Sequence, residues 1–600
     1  MQVVGGSWWR RGWTLAEGML GVWLVIAVFA GQRVMNRVAP HLTTRLIPTP
    51  DFEILDATPS AGITHMPQVY SVAADLLHIE HMLNSFGNSI AVADLDGDGW
   101  PDIYLTQSAP GVPNALYINQ GDGTFRETAV AAGVGEINTG GFRSLRAMAA
   151  DCDNDGAKDL LVVGSGVRVF HNRADGRFDD WSDRSSLAIT GAAHAANVVD
   201  FDNDGWLDLI VAPYFARDVV GESPDPDGIM PDSFFYATNG APVSVFHNEG
   251  HCRYVPQPGN LGIQHRGWTH TLGVYDLRGT GQPDLWFSSD FSSDKVYMND
   301  GHGGFSNASD RVVTRSFSRN GMGFAAADLD DDARAEVFVP HIMFRGEKPG
   351  GNMLWRMAGD GSFADQARLR GVKDCGWGWG GTFADLNNDS RLDLIVGNGF
   401  ISDNAKQNYW YQISVLDSAA RGVMTDARNW PPMENSSLAG YQRSCIFMNE
   451  GSRFVDVRPA TLLAKDDADE RATAMIDFRN EGNLGFVVGA THRPTKLYEI
   501  RQLRPRRWVG YVLHGTRSNR DGYGATLILE LGDGRTLRRQ FQPLNGFLSQ
   551  HDGRLHVGLG KNGEVRAGRV RWPSGIVQDL TLEQRTPGAY HEVRETAAPS

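Results

Sequence analysis

Aspartate recurs along this 600-residue chain at a spacing that suits a hard cation. Asp94, Asp96, Asp98 and Asp102 hold positions 1, 3, 5 and 9 of DLDGDGWPDIYLT, Asp151, Asp153, Asp155 and Asp159 those of DCDNDGAKDLLVV, and Asp200, Asp202, Asp204 and Asp208 those of DFDNDGWLDLIVA. Oxygens at these positions, with a backbone carbonyl at position 7, can surround Ca²⁺, which takes roughly six to eight oxygen ligands at about 2.3–2.6 Å. Glycine at position 6 supplies the sharp turn. Asp385, Asn387, Asp389 and Asp393 keep the ligand set with Ser390 in the glycine place, and Asp328, Asp330, Asp332 and Glu336 keep four carboxylates with Ala333 there. Two further copies start at Asp276 and Asp477. Arg278 and Thr280 replace ligands in the first, Arg479 and Gly485 in the second, so both are expected to be empty.

An EF-hand begins the same way but needs Glu at position 12, where this chain has Leu105, Val162, Val211 and Val396. Turn chemistry alone favours Asp, Asn and Gly, yet it does not call for Asp at position 9. Four acids within nine residues repel one another without a cation. The formal net charge is −15, and five Ca²⁺ ions in the five retained loops would bring it to about −5. About five structural calcium sites are therefore expected. The same charge disfavours nucleic acid as a partner, since a phosphate backbone needs a Lys/Arg surface.

Each loop joins a small-residue segment to an apolar one, as strand, turn and strand. A second pattern follows, as in LYINQGDGTF (residues 116–125), VFHNRADGRF (169–178), VYMNDGHGGF (296–305) and IFMNEGSRF (446–454), where the Asn-x-Gly-Asp-Gly stretch reads as a hairpin turn. Seven such units of about four strands predict an all-β, seven-bladed β-propeller over residues 50–502. The seventh unit lacks its last strand, and FEILDATPSAGI (52–63) resembles FRETAVAAGV (125–134) after the first loop. An N-terminal strand is thus expected to complete the last blade and close the ring. Glycine, 70 residues or roughly 12% against a typical ~7%, fits many turns.

The loops and hairpins together resemble FG-GAP (VCBS-type) repeats, the calcium-binding blades also found in integrin α-subunits. SNRDGYGATLILELGDGR (518–535), FLSQHDGRLHVGLG (547–560) and VRWPSGIVQDL (570–580) resemble the ASPIC/UnbV domain. Both in that order are the architecture of the cartilage acidic protein-like family. The resemblance covers roughly residues 50–592 and implies an extracytoplasmic, calcium-stabilised scaffold for protein or glycan binding or adhesion. By its own pattern the stretch 505–592 is a small, more basic β-domain, expected to lie outside the ring.

At the N-terminus, Arg10 and Arg11 precede an apolar run at 18–31, followed by Arg33 and Arg37. Fourteen residues suit a signal h-region better than a span, although the run could extend into an uncleaved anchor, so residues 1–40 are expected to direct export and, if retained, to hold the chain at a membrane. Four cysteines without a CxxC pair leave disulfide pairing open.

Six positions before the loop starts stand Asn88, Leu145, His194, His270, Met322, Trp379 and Arg471, which in a propeller would ring the axial channel. His194, His270, Met322, Trp379 and Arg471 are candidates for a ligand or borderline-metal site there, or ordinary channel residues. Trp377 and Trp379 could stack on sugar or simply pack. No nucleophile elbow, His-Glu-x-x-His or phosphate loop occurs, so binding is favoured over catalysis, with a channel-based enzyme as the alternative. A third reading is a structural subunit of an envelope complex that docks through the insertion at 407–440.

Overall fold

The computed structural model describes residues 49–596 apart from 186, 221–227, 313–319, 344–349, 418–420 and 562. Residues 50–600 form one compact unit. The apolar run at 18–31 lies outside the described residues. Among those described, no helix is long and apolar enough to cross a membrane.

The repeats fold as seven antiparallel sheets of four repeat strands each, here numbered I to VII in chain order. Their first strands are Ile90–Ala93, Ser144–Ala150, Ala195–Val199, Trp268–Tyr275, Ala325–Ala327, Gly378–Ala384 and Glu470–Ile476. Nearly every residue in these strands is buried, because neighbouring sheets crowd both of their faces. That crowding explains their small residues. A Cβ on Gly273 would come within 2.2 Å of the Phe324 ring.

The expected N-terminal strand is present. Phe52–Asp56 pairs antiparallel with Lys496–Gln502, from Phe52 opposite Gln502 to Asp56 opposite Tyr498, and so supplies the fourth strand of sheet VII. The first strands of I and II, II and III, III and IV, V and VI, and VI and VII are neighbours, as are those of VII and I. Sheets IV and V meet through Thr271 Oγ1, which donates to Met322 O at 2.8 Å, and Ser288 Oγ, which donates to Gly323 O at 2.9 Å.

The asparagine ending a third strand serves as a staple. Asn172 Nδ2 donates to Leu95 O, Asn248 Nδ2 to Cys152 O and Asn299 Nδ2 to Phe201 O, each reaching the carbonyl at position 2 of the preceding sheet's aspartate loop. Asn119 Nδ2 makes the same contact from sheet I to Phe478 O of sheet VII at 3.0 Å.

Two disulfides, Cys152–Cys252 and Cys375–Cys445, settle the pairing. They close segments of 100 and 70 residues, each a constraint on the unfolded chain of about 4.5 kcal/mol in the loop-entropy picture. Such bonds fit an oxidising, extracytoplasmic compartment.

The C-terminal region forms a three-stranded sheet, Leu555–Gly560, Arg507–His514 and Tyr590–Arg594, and a four-stranded one, Thr536–Gln540, Thr526–Leu531, Val565–Arg571 and Val577–Asp579. It was expected outside the repeats, but one segment reaches in among their first strands. Ser549–Gln550 adds a parallel strand to sheet I, opposite Ile90 and Ala91. Gln550 exchanges side-chain hydrogen bonds with Ala149 N and O, Asn545 does so with Val274 N and O, and Ser549 Oγ accepts from Thr473 N. First strands offer free edge groups at the centre of such an array, and these amides satisfy them.

Candidate functional site

The local fold of the aspartate loops follows from their position-1 and position-9 carboxylates. In the first loop Asp94 accepts from the N–H groups of Gly97 (2.8 Å) and Gly99 (2.9 Å), and Asp98 accepts from Trp100 N–H (2.9 Å). Asp102 accepts from Leu95 N–H across the loop and from Asn119 N–H on the third strand, both at 2.8 Å. Asp151 and Asp159, Asp200 and Asp208, and Asp385 and Asp393 repeat the pattern. Ala333 and Ser390, in the glycine place, keep the left-handed backbone at φ 70° and 74°. The turn therefore survives both replacements, at a strain of about 1 kcal/mol or more each.

Carboxyl oxygens of Asp94, Asp96 and Asp102 lie within 4.8 Å of one another, as do those of Asp151, Asp153 and Asp159. Burial, with the neighbouring acids adding to it, pushes Asp102 and Asp159 up to about 8 and Asp151 and Asp385 to about 7. Asp200 and Asp393 are also pushed well above the usual carboxylate range. Carboxylates gathered and desolvated in this way hold their charge only beside a cation. The donor set, all oxygen in the first loop, fits a hard divalent ion.

The side chains set against each loop decide which loops already contain a cation. The residue before the third-strand Asn is Ile118 in sheet I, His171 in II, His247 in III and Met448 in VI. His171 Nδ1 lies 3.3 Å from Asp153 and 3.2 Å from Asp159, and His247 Nδ1 lies 2.9 Å from Asp208. In sheet V the same register position is Arg356, whose Nη2 is 2.8 Å from Asp330 and 3.0 Å from Asp332 and whose Nε is 3.5 Å from Glu336. A guanidinium thus stands among the carboxylates of the fifth loop, which the sequence alone had grouped with the metal sites. In the fourth loop Arg278 grips both oxygens of Asp284, and Arg571 of the C-terminal region reaches Asp276 at 3.2 Å. In the seventh, Tyr590 Oη donates to Asp477 at 2.9 Å, and Arg554 Nη2 donates to Asp477 O. The spacing of the acids carried no sign of Arg356, although the LWRM that replaces the usual F-x-N pattern was visible.

The axial candidates converge, but not around an open channel. His194 Nε2 and His270 Nδ1 are 3.2 Å apart, and burial drives His194 far below its ordinary pKa, so it is a neutral imidazole at physiological pH. Phe86 stacks on His194 at 5.0 Å, and Phe547, from the C-terminal segment, sits 5.8 Å from both histidines and 5.1 Å from Trp379. Arg471 lies 4.5 Å from the Trp379 ring and donates to Gly399 O, while Asn88, Leu145 and Met322 are buried. Phe547 thus packs among three of the side chains that the sequence offered for a ligand or metal.

His270 and Trp379 do line a cavity of about 680 Å³. Its walls include Tyr214, Trp268, Trp377 and Phe400, with Trp410 and Trp430 from the 407–440 insertion, which contributes the helices Trp410–Asp417 and Arg421–Thr425. His270 is the third residue of its strand and Asp276 directly follows that strand, so cavity and aspartate loops lie at opposite ends of the sheets, about 20 Å apart. Apart from the two flagged tryptophans these aromatics were missed, because all but Trp268, at the start of a first strand, sit on connections with no repeat to mark them.

An FG-GAP-like repeat model matches residues 94–162, 151–211, 276–339 and 342–396, and an ASPIC and UnbV model matches 515–600. Cartilage acidic protein 1 of Xenopus tropicalis is 22% identical over 500 residues, 75% of this chain and 73% of that protein. Its Homo sapiens counterpart is 25% identical over 286 residues, 42% of this chain and 41% of that protein. Integrin alpha-4 of Xenopus laevis is 23% identical over 153 residues, 22% of this chain and 15% of that protein. The chain therefore carries FG-GAP-like repeats followed by an ASPIC and UnbV domain, and over three quarters of its length it is similar to cartilage acidic protein 1.

Proposed function

We propose that this chain is an extracytoplasmic, calcium-stabilised scaffold of adhesion type, exported by its N-terminal segment, whose seven sheets form a closed seven-bladed β-propeller over residues 50–502. The neighbouring first strands of sheets VII and I and the Asn119 staple between them support the closed ring. The domain at 505–592 caps the aspartate-loop end and plugs the axis with Phe547.

The observation that carries the calcium reading is the division among the loops. Those starting at Asp94, Asp151, Asp200 and Asp385 gather desolvated carboxylates with no guanidinium on the acids at positions 1 and 9; Arg391 lies 3.2 Å from Asp389 alone in the last, and His247, held up to about 9 by Asp208, stands beside the third. Those at Asp276, Asp328 and Asp477 have arginine or tyrosine donors at theirs. This lowers the expected number of Ca²⁺ ions from about five to four. In the four metal loops, Asp94, Asp151, Asp200 and Asp385 with their partners at positions 3, 5 and 9 would hold the ion, which would neutralise the loop and fix its shape. The ion is structural in this reading, since loop oxygens supply its ligands. A protein or glycan partner would bind the rigid surface that results.

Thermal melting of the full chain with Ca²⁺ and with EGTA tests the reading, alongside a count of bound ions. Four ions per chain and a lower melting temperature in EGTA are expected. An unchanged melting temperature with no bound Ca²⁺ would overturn it.

A further inference from the structure

The aromatic cavity differs in chemistry from the rest of the surface. Its polar groups are largely engaged with one another. Tyr214 Oη donates to Asp290 at 2.9 Å, Asn320 Nδ2 donates to the other oxygen of the same carboxylate, and His270 Nε2 lies 3.3 Å from Asp290. Three indole N–H groups are spent in the same way. Trp268 donates to Asn239, Trp379 to Gly399 O and Trp430 to Met424 O. Most of what faces the cavity is apolar, much of it ring carbon, at packing angles that leave edges and faces mixed. Trp377 lies 6.0 Å from Trp379 and 4.4 Å from Phe400, centroid to centroid.

This lining excludes two ligand classes. A sugar carries a hydroxyl on nearly every carbon, and each one buried without a partner is costly. An anion would face the Asp290 carboxylate. The volume, about 680 Å³, falls within the range of pockets that enclose drug-sized molecules. The Trp377 indole also lines the cavity. Trp377 Nε1 is buried and has no hydrogen-bond partner among the described residues. A small shift of the ring would open this donor to the cavity, where a single acceptor oxygen on the ligand would satisfy it.

We propose that this cavity binds an uncharged lipophile that carries one hydrogen-bond acceptor such as a ketone or quinone oxygen, with Trp377 Nε1 as its donor. Trp268, Trp379, Trp410 and Trp430 form the apolar enclosure. The lipophile is either a free small molecule or the tail of a membrane lipid, and the chemistry is common to both. The site does not depend on the calcium reading, because it lies at the other end of the sheets.

The test uses a matched pair of probes, 2-acetylnaphthalene and 2-ethylnaphthalene, titrated calorimetrically into the full chain with Ca²⁺ and again with EGTA. Saturable binding of one molecule per chain is expected, with the acetyl compound favoured roughly two- to tenfold, the worth of one hydrogen bond. Trp377→Phe keeps the ring but removes the donor, and should erase that preference while binding persists. Ser414→Trp, an exposed residue on the rim, should abolish binding of both probes without changing the melting temperature. Flotation with phosphatidylcholine vesicles then separates the sources. Flotation reduced by Ser414→Trp points to a membrane lipid, and equal flotation to a free molecule. Absence of saturable binding, binding unaffected by Ser414→Trp, or displacement of the acetyl probe by maltohexaose would each overturn the proposal. Loss of binding only in EGTA would overturn its independence from calcium.

Discussion

Replacing Arg356 by Met should convert the fifth aspartate loop from a self-compensated turn into a metal site. Met448 occupies the same register position in sheet VI, so the side chain fits a third strand of this kind. Removing the guanidinium leaves Asp328, Asp330 and Glu336 without a cation, with Arg334 still 3.7 Å from Asp332. Burial already pushes Glu336 up to about 7, and its Oε1 has no hydrogen-bond partner. The Arg356 side chain is 35% exposed, so screening holds its contribution to about 1–2 kcal/mol, below the roughly 3–5 kcal/mol of a fully buried partner. In EGTA the variant should be less stable than wild type by that amount. With Ca²⁺ at a hundredfold excess over its Kd, binding returns about 2.7 kcal/mol, which offsets the loss. Equilibrium dialysis with atomic emission counts the ions, and melting in EGTA and in Ca²⁺ gives the stabilities. One more ion per chain than wild type is expected. If wild type binds about four ions and the variant binds the same number, Arg356 is not what keeps metal out, and the argument fails. If wild type binds none, the calcium reading fails instead.

Three further outcomes follow from particular contacts. Phe547→Ala removes the ring packed against His194, His270 and Trp379 and should cost about 3–5 kcal/mol, read by urea unfolding; a loss under 1 kcal/mol would mean that the C-terminal segment does not support the axis. Ala333→Gly and Ser390→Gly relieve left-handed strain and should each stabilise by about 1 kcal/mol, whereas destabilisation would show that the loops do not keep this backbone. Burial, aided by Asp466, raises Glu470 to about 8 from its ordinary 4.5, so the folded state binds the extra proton and stability falls as pH rises through that interval. Glu470→Gln should flatten the decline between about pH 4.5 and 8 and exceed wild type at pH 8.5, and an unchanged pH profile would refute the assignment.

The repeat was legible because one local chemistry recurs. Asp at positions 1 and 9 ties the loop to its own backbone and to the third strand through hydrogen bonds that depend only on nearby residues. The same locality made the Phe52 strand readable, since its pattern matches that of the fourth strands. Arginine in the fourth loop was equally visible, as Arg278 lies within it. Arg356 was not weighed because its effect on Asp330 and Glu336 appears only when strand register puts it across from them.

What the sequence by itself determined is the all-β repeat, its calcium-type loops and the distinct C-terminal domain, all written in spacings of a few residues. The tertiary structure decided the rest. It paired Cys152 with Cys252 and Cys375 with Cys445, set Arg356, Arg571 and Tyr590 against aspartate loops, packed Phe547 against His194, His270 and Trp379 and gathered tryptophans from strands and connections around one cavity. Those contacts join residues tens to hundreds of positions apart. No local spacing encodes them, because they arise only when the sheets pack side by side and the C-terminal domain docks on them.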